Sequence, residues 1–264
     1  MAYHYNQRRA QRPREQRPDA AIVIIPDAYR SSQDYELLAA SCRALGPEVV
    51  VVVQNPSSRV FSAGAGTAGT PGLHDDAANA RLTIEGLVRE GRNVLIVAHS
   101  YGAVVASECT RGLGREELIG VSRGGVVRML FIAGIVPWEG QSVNEAVNGM
   151  PGTRASDNNV DSYMRHDGKK LAGRETSGAP FEERLTYAGY RMIPVTYMVT
   201  AADRTVPATL QERFAGVVEA EAGRAVDMMR YPVGHCPEVT GIEAVVDCVR
   251  RAAAAEGGPG CVFI

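Results

Sequence analysis

Ser100 is the residue whose setting first points to chemistry. It lies in NVLIVAHSYGAVVASE, Asn93 to Glu108. Val94 to Val97 read as a buried strand and Ala103 to Ala106 as the buried side of a helix. His99, Ser100, Tyr101 and Gly102 interrupt that core with a polar cluster. A strand that ends in small-x-Ser-x-Gly and turns at once into a helix is a nucleophile elbow. Here the pattern is Ala98-His99-Ser100-Tyr101-Gly102. So tight a turn strains the serine backbone and brings helix close to strand, so the flanking residues must be small. It also lifts the hydroxyl off the sheet edge and aims backbone N–H groups at the same spot. A plainer use of Ser100 is as an N-cap, and alanine in place of the first glycine loosens the pattern. The pentapeptide alone leaves both uses open.

A serine hydroxyl attacks only when a base takes its proton and an acid orients that base. In this architecture the partners follow as Asp or Glu, then His. The strand Val195 to Thr200 runs into AADRTVP, which carries Asp203, and a later strand runs into PVGHCP, which carries His235. Both stand just past the C-terminal end of a strand, where sites on open α/β sheets lie. Singly, Asp203 could pair with Arg204 or cap a helix, and His235 could be a surface histidine. Jointly, the three types in that order at successive strand ends point to a Ser100–His235–Asp203 triad.

The elements that must position them alternate along the chain. Ala20 to Ile25 is a strand buried on both faces. A helix is expected over 34–45, a strand over 48–53 and a long Gly/Ser/Pro loop over 54–72. Then come a helix over 73–90, the strand over 93–98, a helix over 101–113 and a strand over 126–133. A strand over 194–200, a helix near 209–221, a strand over 226–231 and a helix over 241–255 close the series. This is an α/β chain with a mostly parallel sheet and helices on both faces. Residues 136–192 break the rhythm and are read as a small lid inserted between core segments 20–135 and 193–256. The polar, Arg-rich stretch 1–19 and the Gly-rich stretch 257–264 read as tails.

Composition bounds the partners. With 45% hydrophobic and 22% charged residues and a net charge of −2, the chain has no electrostatic pull toward nucleic acid or anionic membrane. No apolar run reaches the roughly 18 residues that span a bilayer. The odd count of five cysteines, without metal-ligand spacing, fits a reducing, cytoplasmic setting. The ending Cys261-Val262-Phe263-Ile264 matches a prenylation box only loosely, so lipidation of Cys261 stays open.

The segments IVIIPDAYR, VLIVAHSYGAVVASE, VVRMLFIAGIVPWEGQSV, LTYAGYRMIPVTYMVTAADRTVP and VGHCPEV resemble the α/β-hydrolases over about 21–255. Within that family the likeness is to a compact group with VPGAWH-like openings, common in fungi and bacteria; plant methyl-ester esterases and hydroxynitrile lyases are more distant. The resemblance implies Ser100 as nucleophile, His235 as base, Asp203 as its orienting acid, and no cofactor or metal. It places the oxyanion hole at the backbone N–H of Tyr101 and of Ala28 or Tyr29. One departure matters: where the group has glycine after the first strand, this chain has Asp27. A carboxylate there opposes a developing oxyanion if it points in; pointing away, it would face Arg30. Asp27, Tyr101 and Trp138 are expected at the substrate pocket, while His99 points into packing. The expected activity is hydrolysis of an ester, thioester or lactone of a small to medium hydrophobic compound, of polyketide type by analogy. Lyase, C–C cleaving or cyclase chemistry at the same site, or a receptor with a dead site, are the alternatives. The expected partner is that small molecule, with homodimer formation left open.

Overall fold

The computed structural model describes residues 20–28, 30–58, 71–148 and 179–255. The stretches read as tails, Tyr29, residues 59–70 of the long loop, and 149–178 of the insertion, with His166, lie outside them, as does Cys261.

Six parallel strands form one sheet: β1 (Ala20–Ile25), β2 (Val49–Val52), β3 (Asn93–His99), β4 (Gly125–Ile132), β5 (Val195–Thr200) and β6 (Asp227–Tyr231). Their order is β2-β1-β3-β4-β5-β6. The helices are α1 (Glu36–Arg43), α2 (Leu73–Arg89), α3 (Gly102–Cys109), α4 (Val143–Asn148), α5 (Ala179–Glu182), α6 (Ala208–Ala222), α7 (Pro237–Thr240) and α8 (Ile242–Ala254).

Two-residue periodicity builds the two layers. In β1, Ala21, Val23 and Ile25 belong to the layer that holds α2, α3 and α6, while Ala20, Ile22 and Ile24 belong to the layer that holds α1 and α8. β3 repeats this split with Val94, Ile96 and Ala98 against Leu95 and Val97. Both faces are covered, which is why these strands read as unbroken apolar runs.

The chain leaves β1 for β2 on one side and returns to β3 on the other. The loops after β1 and β3 therefore diverge and open a crevice beyond the strand ends. Asp27 stands on one lip and Ser100 on the other.

The ends of the insertion are tied together. Gly140 N–H donates to the Leu185 carbonyl at 2.8 Å and Leu185 N–H to that of Gln141 at 2.9 Å. Val143, Val147, Phe181, Leu185 and Tyr190 from these ends join the core beside α3. Among the described residues no helix is long and apolar enough to cross a membrane.

The helix expected over 101–113 stops at Cys109. The Thr110 hydroxyl turns back onto the carbonyls of Ala106 (3.0 Å) and Ser107 (3.2 Å), competing with continued helical bonding. The helix expected over 34–45 opens with a 3₁₀ turn, Ser32–Tyr35, before α1. The short α7 was not expected, although Pro237 at its first turn favours a helix start.

Candidate active site

Ser100 has φ of 54°, in the left-handed region that a side chain rarely occupies. Its N–H donates to the Ile132 carbonyl at 2.9 Å, and its own carbonyl accepts from Ile135 N–H at 3.1 Å. Both bonds go to β4 and its exit, so the neighbouring strand over-determines the strained turn. Gly102 is the other half of the device. A Cβ built there would lie 2.4 Å from the Ile25 carbonyl oxygen and 2.8 Å from that of Pro26. Both contacts are backbone, so only a shift of the β1 exit would relieve them. The expected result for Gly102→Ala is a loss on the order of 3 kcal/mol in denaturant unfolding, with the Asp27 loop displaced.

His235 leaves β6 and points its ring back over the crevice. Its Nδ1 lies 2.8 Å from Asp203 Oδ2, which fixes the tautomer and turns Nε2 inward. Asp203 is held in turn. Its Oδ1 accepts from the N–H groups of Thr205 (2.7 Å) and Val206 (2.9 Å). Its Oδ2 accepts from the Thr200 hydroxyl (2.9 Å) and Gln211 Nε2 (3.1 Å). Burial alone would raise this carboxyl; the His235 bond and these donors reverse that and hold it below its ordinary value.

Gln211 was missed in the sequence, yet its signal is there. It is a fully buried amide on the apolar face of α6, beside Leu210, Phe214 and Val218. Besides Asp203, its Nε2 donates to the Thr200 hydroxyl (2.8 Å) and the Val206 carbonyl (2.7 Å), and its Oε1 accepts from Thr200 N–H (2.9 Å). Gln211→Leu strips the Thr200 N–H and the Val206 carbonyl of this partner and removes one donor from Asp203. The expected cost is about 2 kcal/mol of stability, with turnover lowered more than KM because Asp203 loses its setting. Denaturant melts and steady-state kinetics check this.

A second chain of bonds links the two lips. Asp27 N–H donates to the Tyr35 hydroxyl at 3.0 Å, and that hydroxyl lies 2.6 Å from His99 Nδ1. His99 Nε2 lies 2.7 Å from the His235 carbonyl oxygen. One tautomer satisfies all three bonds: Tyr35 donates to Nδ1, and Nε2–H donates to the carbonyl. His99 is thus buried in the packing and braces the β1 exit against the His235 loop.

Asp27 points inward and is almost fully buried, at 1% exposure. Its Oδ1 accepts from Ala28 N–H at 2.7 Å and lies 3.4 Å from Tyr101 N–H. Its Oδ2 stands 3.5 Å from His235 Nε2. Two of the backbone donors expected for an oxyanion, those of Ala28 and Tyr101, therefore converge on this carboxylate. Burial would raise its titration; the approach and charge of His235 and the nearby Ser100 hydroxyl outweigh that and hold it far below the carboxylate range. His235 responds in kind. Burial works against its proton, but Asp203 on one nitrogen and Asp27 on the other push it up to about 10.

Asp27, His99 and His235 offer ligand atoms within 4.8 Å of one another. As a metal set they would have to give up bonds already made, since His99 commits both ring nitrogens.

The remaining candidates fall elsewhere. The Tyr101 ring is buried; its hydroxyl donates to Asp76 Oδ2 at 2.8 Å and its edge meets Phe181, with centroids 5.6 Å apart. Asp76 also accepts from the Ser57 N–H (2.9 Å) and hydroxyl (2.6 Å), which anchors the start of the long loop. Trp138 is 37% exposed, and its backbone N–H donates to Gln141. Among the described residues Cys42, Cys109, Cys236 and Cys248 form no disulfide. Cys236 instead receives a contact from Arg30 at 3.1 Å.

A parallel sheet with a strained serine at one strand end and a hydrogen-bonded His–Asp pair at two others defines an α/β-hydrolase fold. The family model described as "Alpha/beta hydrolase family" matches residues 22–248, and the chain belongs to that family. It is 28% identical over 250 residues to a protein of a Phoma species named "Probable hydrolase R7", covering 88% of this chain and 97% of that one. It is 25% identical over 256 residues to "Alpha/beta hydrolase nvfD" of Aspergillus novofumigatus, covering 88% and 96%. Among solved structures, a pyrethroid hydrolase from Sphingobium faniae superposes with a TM-score of 0.62 at 15% identity, covering 90% and 99%.

Proposed function

We propose that this protein is a serine hydrolase acting on an ester, thioester or lactone of a small to medium hydrophobic compound. The observation that carries this reading is the elbow itself: a serine at φ of 54° at the end of one strand, with a histidine bonded to a buried aspartate at 2.8 Å beyond the ends of two others. Backbone strain of that kind is maintained where geometry serves a function. In the proposed cycle Ser100 Oγ attacks the acyl carbon while its proton passes to His235 Nε2. The tetrahedral oxygen takes the N–H groups of Tyr101 and Ala28. His235 then returns the proton to the leaving oxygen or sulfur, and water releases the acyl group by the same route. The relatives named as hydrolases support the reaction class. Intact mass after incubation with a fluorophosphonate tests it: one adduct on the native protein and none on Ser100→Ala is the expected result, and a serine that stays unlabelled under all conditions overturns it.

A second reading keeps the fold and drops the acyl-enzyme, as in lyase, C–C cleaving or cyclase chemistry. Asp27 favours it, because it sets a second carboxylate 3.5 Å from His235 Nε2, where the pair can orient a proton on that nitrogen without Ser100. Turnover of a substrate that survives Ser100→Ala but not Asp27→Asn would select this reading.

A further inference from the structure

We infer that Asp27 occupies the oxyanion hole as an internal anion and holds the serine centre in a suppressed state. This inference rests on the acyl-enzyme reading and adds a residue that limits it.

The geometry carries it. An oxyanion hole is a pair of convergent N–H donors aimed at the place where negative oxygen develops. Here the donors are Ala28 and Tyr101, and Asp27 Oδ1 stands 2.7 Å from the first and 3.4 Å from the second. A carboxylate oxygen carries the charge and hydrogen-bond preference of a tetrahedral oxyanion, so the hole is filled by its own mimic. The second oxygen, Oδ2, stands 3.5 Å from His235 Nε2, the nitrogen that must accept the Ser100 proton. One side chain thus engages both the stabiliser and the base.

The placement is also anchored. Asp27 N–H is bonded to Tyr35, whose hydroxyl is bonded to His99. The preceding Pro26 carbonyl accepts from Asn55 Nδ2 at 3.2 Å. An acyl oxygen can therefore reach the two N–H groups only by displacing the carboxylate, and while the carboxylate stays, its charge opposes the oxyanion. A glycine at this position would leave the hole open.

The test compares labelling rates with a fluorophosphonate for wild type, Asp27→Ala, Asp27→Asn and Ser100→Ala, all checked for folding by circular dichroism. Asp27→Ala vacates the hole and removes the charge, so Ser100 should label about 100-fold faster, the scale set by loss or gain of hole donors. Asp27→Asn keeps an oxygen on the N–H groups without the charge, and it retains the local bonds should the alanine variant fold poorly. Its expected rate lies between the other two. Added formate should slow Asp27→Ala at millimolar levels and leave wild type unchanged, because the small carboxylate refills the vacated site. Wild type labelled, with neither variant faster, would overturn the inference and leave the acyl-enzyme reading standing. Asparagine and alanine equally fast, with no effect of formate, would overturn the occupancy of the hole. No label on Ser100 in any form would overturn both.

Discussion

Ser100→Ala should lower kcat/KM for an ester substrate by about 10⁴-fold or more, with folding stability kept or improved. The fall follows from the proposed chemistry: without Oγ no acyl-enzyme forms, and only binding and the N–H groups are left to help water attack. The stability expectation follows from burial. Ser100 is fully buried, and its Oγ makes no hydrogen bond of good geometry among the described residues. Alanine removes that hydroxyl and leaves the positive φ unchanged. Active sites commonly hold such strained and unsatisfied groups at a cost in stability. Steady-state kinetics on a p-nitrophenyl ester, beside denaturant melts, reads both effects. A variant that loses stability in proportion to activity would point to a structural serine instead.

The second large effect is on pH. In the proposed cycle only a neutral His235 can accept the Ser100 proton, and its titration is pushed up to about 10. The groups facing it are Asp203 at Nδ1, Asp27 at Nε2 and the His99 ring 5.1 Å away, which itself faces Glu238 at 3.8 Å. Acylation should therefore climb about tenfold per pH unit above neutrality and level off near 10, a rise of about 10³-fold from pH 7. Asp27→Ala removes one of the two carboxylates, so its inflection should move down toward the ordinary histidine value of 6.5. A rate flat between pH 7 and 10 would sink this expectation.

The same shifts set stability. His235 titrates higher folded than unfolded, so its contribution is whole below 6.5 and is lost as pH rises through about 10. Asp27 and Asp203 titrate lower folded than their ordinary 3.8, so theirs is whole above that value and is lost as pH falls through the folded values. Melts across pH should place the optimum between these windows.

Local pattern made the frame legible. Unbroken apolar runs announced β1 and β3, because strands covered on both faces carry no polar alternation. The elbow was readable because its demands are local: small residues at Ala98 and Gly102, and a serine between them. The order Ser100, Asp203, His235 followed from strand ends, which sequence marks well. Tertiary structure alone decided which way Asp27 points. That direction depends on backbone N–H groups, which no residue type reveals, and on Tyr101, brought across 74 positions by the neighbouring strand pair β1 and β3. The Tyr35–His99–His235 link likewise spans 64 and then 136 positions. Gln211 lies between these cases: its place on an apolar helix face was visible, but its partners at the end of β5 were not. Sequence by itself determined which groups stand at the strand ends. Packing of the crossover between β1 and β3 determined which of them touch, because side-chain contact is a property of neighbouring strands and not of neighbouring residues.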